Sequence, residues 1–254
     1  MPARIKFEES AGVARVTLSY PKRFNAMSRA MWRDLRTVFE RIQGMTEVRC
    51  VLVTGEGAHF CAGGDISEYA SFRFHEASLR EFHEAEVWGA LSAMLACDVP
   101  MVAQIDGNCM GAGVEIASCC DIRLAAESAR FGAPIAKLGF PMAPREAALV
   151  AREAGLETAR QMLLEAAVFS APDMLQRGFL SRVVADVDVS AVAQATVQRI
   201  CELAPQAARL NKQTLRALNQ DQLPSLLATA YNYADSAEQR EGISAFLEKR
   251  PPRF

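Results

Sequence analysis

The sequence predicts an α/β fold followed by an all-helical tail, on three observations. Two continuous apolar runs, Cys50–Gly55 and Pro100–Gly107, read as strands buried on both faces. A helix-like stretch carrying Leu79, Phe82, Leu91, Met94 and Leu95 separates them. From about Ser190 onward only helical patterns remain, over Val192–Leu203, Pro205–Leu218 and Tyr231–Leu247. Strand alternating with helix is the rhythm of an α/β core.

The elements follow in order. Ile5–Phe7 and Val13–Leu18 are short β-branched stretches around Glu9-Ser10-Ala11-Gly12, the pattern of a hairpin. Ser28 has the form of an N-cap, with Met31, Leu35, Val38, Phe39 and Ile42 at helical spacing before Gly44. The segment Val184–Ser190 divides a core, residues 1–189, from a helical region, residues 190–254.

Composition excludes several classes. The 254 residues are 50% hydrophobic and 23% charged, ordinary for a globular chain, and the net charge of -2 gives no general attraction to nucleic acid or anionic lipid. No apolar run is long enough to span a bilayer, and MPARIKFEES lacks the apolar region of a signal peptide, so the expected location is the cytoplasm. Seven cysteines without a CxxC suit reduced, buried thiols, and no metal site is expected.

Two glycine-rich turns could carry chemistry. HFCAGGDISEY (His59–Tyr69) runs through Gly63-Gly64 to Asp65, with Glu68 three residues on in the form of a capping box. DGNCMGAGVEI (Asp106–Ile116) enters a helix through Gly111-Ala112-Gly113. Both leave backbone N–H groups unshielded at a helix start, and two such donors converging on one carbonyl make an oxyanion hole. Glu115 follows among small and apolar residues. Rival motifs fail: GEGAHF lacks the third glycine of GxGxxG, and neither GxxxxGK[ST] nor GxSxG occurs.

FCAGGDISEY, DGNCMGAGVEIASCCDIRLAAESARFGAP, PKRFNAMS and the tail EGISAFLEKRPPRF, in this order and spacing, resemble the enoyl-CoA hydratase/isomerase, or crotonase, superfamily over nearly the whole chain. The resemblance implies a spiral of ββα units, a C-terminal region that builds trimers or dimers of trimers, and an acyl-CoA thioester substrate of the kind met in fatty acid metabolism. It implies no cofactor beyond the coenzyme A of the substrate, while the charge balance argues against a nucleic acid or membrane partner. By position, the oxyanion donors fall on the N–H groups of Gly64 and Ala112, where alanine substitution is expected to test little. CoA contacts fall on Lys22, Arg23, Ala62, Gly64, Asp65 and Ile66, and on Phe246 and Lys249 from a neighbouring subunit. The plainer reading of Asp65 is an N-cap, and of Lys22, Arg23 and Lys249 solvated surface cations.

Glu115 matches the first catalytic glutamate of the hydratases, which holds or activates the water added at the β-carbon. The alternative is a structural carboxylate held by helix-terminal N–H groups. The family's second glutamate follows FGxP, where this chain has Ile135, which cannot transfer a proton. The loop Gly139–Glu146 also lacks the family's glycines, so an altered wall is expected there. His75, Glu76, Glu81, His83, Glu84 and Glu146 read as polar faces of surface helices, and His59 as a strand-end histidine with a structural hydrogen bond. The expected activity is hydration of a 2-enoyl-CoA with Glu115 as acid/base. The alternatives are another thioester-enolate reaction, decarboxylation or double-bond isomerisation, or a non-catalytic CoA- or RNA-binding scaffold.

Overall fold

A computed structural model describes residues 2–218 and 223–254. Strands β1 (Arg4–Ser10) and β2 (Val13–Ser19) form the expected antiparallel hairpin, in register from Arg4–Ser19 to Ser10–Val13. Helix α1 (Arg29–Gln43) begins where Ser28 Oγ accepts the Met31 N–H at 3.2 Å, and it buries Met31, Trp32, Leu35, Phe39 and Ile42. Such a cap satisfies one of the orphan donors of the first turn.

Strands β3 (Cys50–Gly55) and β4 (Met101–Ile105) are the two apolar runs. Between them come α2 (Glu76–Glu81), a π-helical turn (Phe82–Val87) and α3 (Trp88–Ala96), so the helix-like stretch is continuous but widened in the middle. Strand β5 (Asn108–Met110) leads into α4 (Ala112–Ser118), and β6 (Ile122–Ala126) leads into β7 (Arg130–Gly132). Helices α5 (Pro144–Ala154) and α6 (Leu156–Leu164), strand β8 (Val168–Ser170), helix α7 (Ala171–Gln176) and strand β9 (Arg182–Val184) follow. The tail holds α8 (Val189–Cys201), α9 (Pro205–Leu218), α10 (Leu223–Leu227) and α11 (Ala237–Leu247).

The larger sheet has the order β1-β2-β3-β4-β6-β9, parallel beyond the hairpin; the smaller is β5-β7-β8. Cys61 bridges Cys109 in parallel and so extends the smaller layer by one step. Each turn of the chain thus lays one strand in the large sheet, a short strand in the second layer, then helix. That repetition brings the Cys61–Gly64 and Met110–Ala112 turns side by side, with Met110 N–H donating to the Cys61 carbonyl at 2.8 Å.

The continuous apolar character of β3 has a direct cause. Val51 and Val53 face the main core with residues of α1, α3 and α4, whereas Cys50 and Leu52 face a second cluster with Val102, Leu124, Ala193 and Val197. Helix α8 therefore covers the back of the sheet, although it lies at the start of the region assigned to the tail. Six of the seven cysteines are buried and all seven are free thiols.

Two local expectations need correction. The helix expected over Tyr231–Leu247 begins only at Ala237, because Ser236 caps it by accepting the Gln239 N–H at 3.2 Å; residues 228–235 run as turns. The capping box at Asp65 does not close. Asp65 caps the 3-10 helix Ile66–Ser71 by accepting from Ser67, but Glu68 instead accepts the Arg29 N–H at the start of α1, at 2.7 Å.

Candidate active site

A cavity of about 330 Å³ opens where the two glycine turns meet, walled by Ala62, Gly64, Ile66, Tyr69, Ala112 and Ile135 among others. Helix α4 starts from Gly111, whose φ of 47° is costly for a residue with a Cβ. Two residues on, a Cβ on Gly113 would stand 2.8 Å from the Cys61 carbonyl. Glycine at these positions lets the helix start press against the neighbouring turn.

Among the described residues, this packing leaves the amides of Gly64 and Ala112 without an acceptor. Around the Met27–Gly64 bridge, the Gly63 carbonyl accepts from Met27 and the Asp65 N–H donates to Met27, so the ladder uses the groups flanking the Gly64 N–H and not that N–H itself. Ala112 is the first residue of α4, where an amide has no acceptor within its helix. Both residues line the cavity. A Cβ on Gly64 would meet the Tyr69 hydroxyl, so alanine there requires the tyrosine side chain to shift.

Glu115 sits in the first turn of α4, 9% exposed, and faces the same cavity. Among the described residues no protein group donates a hydrogen bond to its carboxyl, so it is not the structural carboxylate held by helix-terminal N–H groups. Burial pushes its pKa up to about 8, and the charge of Glu146 adds to the rise.

The other sequence candidates are scattered. Ala62, Gly64 and Ile66 line the cavity. Asp65 lies behind it, buried, taking the Ser67 hydroxyl at 2.7 Å and Arg23 at 3.3 Å. Lys22 and Arg23 sit in the short 3-10 helix Pro21–Arg23. Phe246 is 83% exposed on α11, and Lys249 follows it with φ 55°. Neither lines this cavity. His59 is structural, its Nδ1 accepting the Asn108 N–H at 3.1 Å. Glu76 and Glu84 form surface ion pairs with Arg80 and Arg145, and His75 and Glu81 are exposed.

His83 and Glu146 depart from the surface reading. His83 lies in the π-helical turn and lines the cavity, and Glu146, in the first turn of α5, is 2% exposed. They meet at 3.0 Å, Nδ1 to Oε1. His83 lies on the cavity wall and Glu146 is buried where α5 packs beside α4, and neither placement is visible in a local pattern of charges.

Sequence reading also missed the aromatic wall. Arg73 stacks on Tyr69 and Phe140, its guanidinium carbon 4.4 and 3.9 Å from the ring centroids, and its Nη2 lies 3.4 Å from His83 Nε2. Phe140, Pro141, Met142 and Ala143, from the loop that lacks the family's glycines, complete that side.

A two-layer spiral whose turns present paired amides beside a buried carboxyl defines an enzyme of the crotonase type. The sequence profile of the enoyl-CoA hydratase/isomerase family matches residues 8–254. The chain is 31% identical over 248 residues to the short-chain-enoyl-CoA hydratase of Clostridium acetobutylicum, covering 96% of this chain and 94% of that one. It is 29% identical to the crotonyl-CoA hydratase of Syntrophomonas wolfei, covering 98% and 97%. A solved enoyl-CoA hydratase/carnithine racemase from Magnetospirillum magneticum superposes with a TM-score of 0.93 at 34% identity, covering 100% of this chain and 96% of the other. The chain belongs to the enoyl-CoA hydratase/isomerase family, a family of enzymes, and has the crotonase fold.

Proposed function

We propose that the protein hydrates a 2-enoyl-CoA thioester. The observation that carries this reading is a carboxyl, Glu115, that has no hydrogen-bond partner among the described residues and shares an apolar cavity with the Gly64 and Ala112 amides, likewise unpaired among them. In this reading the thioester oxygen sits between the two N–H groups, which stabilise it as the acyl group becomes an enolate. Each such donor contributes about 3 to 4 kcal/mol in acyl chemistry. Glu115, its pKa raised by burial, then exchanges a proton with the substrate carbons. The names of the relatives support the same reaction.

The CoA moiety runs past Ala62, Asp65 and Ile66 toward Lys22 and Arg23, and Phe246 and Lys249 reach it from a neighbouring subunit. Residues 190–254 build a homotrimer or a dimer of trimers. No helix among the described residues is long and apolar enough to cross a membrane. In this reading the reaction runs in the cytoplasm. No group beyond the CoA of the substrate is required.

The test is hydration of crotonyl-CoA and of a longer enoyl-CoA, followed by loss of the enoyl thioester absorbance, with Glu115→Gln as control. Failure of the wild type to hydrate, or equal rates in the variant, overturns the reading. Ile135 in the cavity wall favours a second reading, an enolate reaction that needs one carboxylate only, such as a double-bond shift or a decarboxylation. A wild type inert in hydration that interconverts 2- and 3-enoyl-CoA would establish it.

A further inference from the structure

The proposed hydration leaves one proton without a carrier. Adding water across a double bond takes a proton from water and delivers a proton to carbon, and among the described residues Glu115 is the one carboxyl on the cavity wall. A base is needed, and Ile135 is not one. Besides the Trp32 indole, which can only donate, the side chains with exchangeable protons on the cavity wall are, among the described residues, Tyr69, Arg73, His83, Glu115 and Lys137. Burial pushes the Tyr69 phenol up from its ordinary value, Arg73 is a fixed cation, and Lys137 is exposed to solvent. His83 remains.

Its hydrogen bonds give the ring one orientation. A guanidinium can only donate, so with Arg73 Nη2 at 3.4 Å the Nε2 atom of His83 is the acceptor, and the ring proton lies on Nδ1. That N–H donates to Glu146 Oε1 at 3.0 Å, and Glu146 has no other hydrogen-bond partner among the described residues. A base oriented by a buried third group is the general form of an activated proton acceptor. The backbone agrees: His83 lies in the π-helical turn Phe82–Val87, an irregularity frequent at functional sites.

We infer that His83, oriented by Glu146, is the second proton-transfer residue of this site and supplies the proton carrier that Ile135 cannot. The inference rests on the hydration reading above. In the addition step the 3.4 Å contact from Arg73 opens, and His83 Nε2 takes a proton from water as the water oxygen bonds to the β-carbon. The π pair moves toward the thioester, whose oxygen takes the charge between the Gly64 and Ala112 amides. As the enolate collapses, the Glu115 carboxyl gives its proton to the α-carbon. The imidazolium then returns a proton to the Glu115 carboxylate, and the net change is one water added.

Hydration of crotonyl-CoA by His83→Asn, Glu146→Gln and Glu146→Ala tests the assignment, with binding of butyryl-CoA and thermal unfolding measured on each. His83→Asn is expected to lower kcat at least about 100-fold while binding butyryl-CoA within threefold of wild type. Glu146→Ala falls with it in kcat and not in KM, and Glu146→Gln, whose carbonyl still accepts from Nδ1, recovers at least tenfold of that loss. Ring 15N spectra, simple in a chain with three histidines, should show His83 protonated on Nδ1 in the wild type and losing that preference in Glu146→Ala. A folded His83→Asn that hydrates within threefold of wild type overturns the assignment and leaves the hydration reading standing. A wild type that does not hydrate overturns both. Should His83→Asn fail to fold, a wild-type ring found protonated on Nε2 rather than Nδ1 overturns the assignment.

Discussion

The Glu146 carboxylate accepts from His83 at 3.0 Å on one side, and on the other its charge raises the pKa of Glu115. Two residues that the sequence places 31 positions apart thus share one electrostatic environment. Removing the charge while keeping the shape, as in Glu146→Gln, is expected to lower the pKa of Glu115 from about 8, because only the burial contribution then remains. Carboxyl 13C titration of Glu115 measures the shift directly. An unchanged midpoint would separate the two groups electrostatically.

Burial of Glu115 also has a stability consequence whose sign is fixed. The folded carboxyl titrates near 8 against 4.5 when free, so between those values the native state binds more protons than the unfolded one. Stability then falls as pH rises, by at most about 1.4 kcal/mol per pH unit in that interval. Glu115→Gln carries no such charge. Its Tm is expected to approach or match that of wild type at pH 5 and to exceed it progressively toward pH 8. Parallel Tm curves for the two proteins would show that Glu115 is not desolvated.

The hairpin, the Ser28 cap, both buried strands and the α4 entry were legible because each has a local signature: period, cap or glycine turn. So was Glu115, a lone charge in a run of small residues. The His83–Glu146 pair was not. Its partners lie 63 residues apart on different helices, and the π-helical turn breaks the 3.6-residue phase from which an inward or outward face is read. Glu68 misled for a related reason: a capping box is local, and its carboxylate found a better donor in the distant N-terminus of α1.

At Gly64 the structure expects a specific pair of outcomes. A Cβ there meets the Tyr69 hydroxyl, so Gly64→Ala must displace the tyrosine ring or twist the amide away from the cavity. Gly64→Ala is expected to lower hydration at least tenfold. Combining it with Tyr69→Phe, which deletes the colliding oxygen, should restore a large part of the loss. No recovery in the double variant would mean that the amide geometry, and not the hydroxyl, carries the effect.

Ile135 stands in the cavity wall at the position where a second carboxylate would complete the family's pair. In a His83→Asn background, Ile135→Glu therefore supplies an alternative proton carrier and is expected to raise hydration at least tenfold. The same substitution in the wild type should change the rate little, since the role is already filled. A large gain in the wild type with none in the His83→Asn background would reverse this order.

The tail is not an independent appendage in its first helix. Helix α8 closes the second cluster, where Cys50, Leu52, Val102 and Leu124 are each at most 1% exposed beneath Ala193 and Val197. A chain ending at residue 189 would leave that face of the sheet in water, and each fully buried leucine or valine so uncovered forfeits about 1.5 to 3 kcal/mol. Marginal domain stability of about 5 to 15 kcal/mol does not survive several such losses. Residues 1–189 alone are accordingly expected to be insoluble or to lack a cooperative thermal transition, whereas residues 1–203, which keep α8, should recover one. Cooperative unfolding of the shorter fragment would show that the sheet tolerates an open back face.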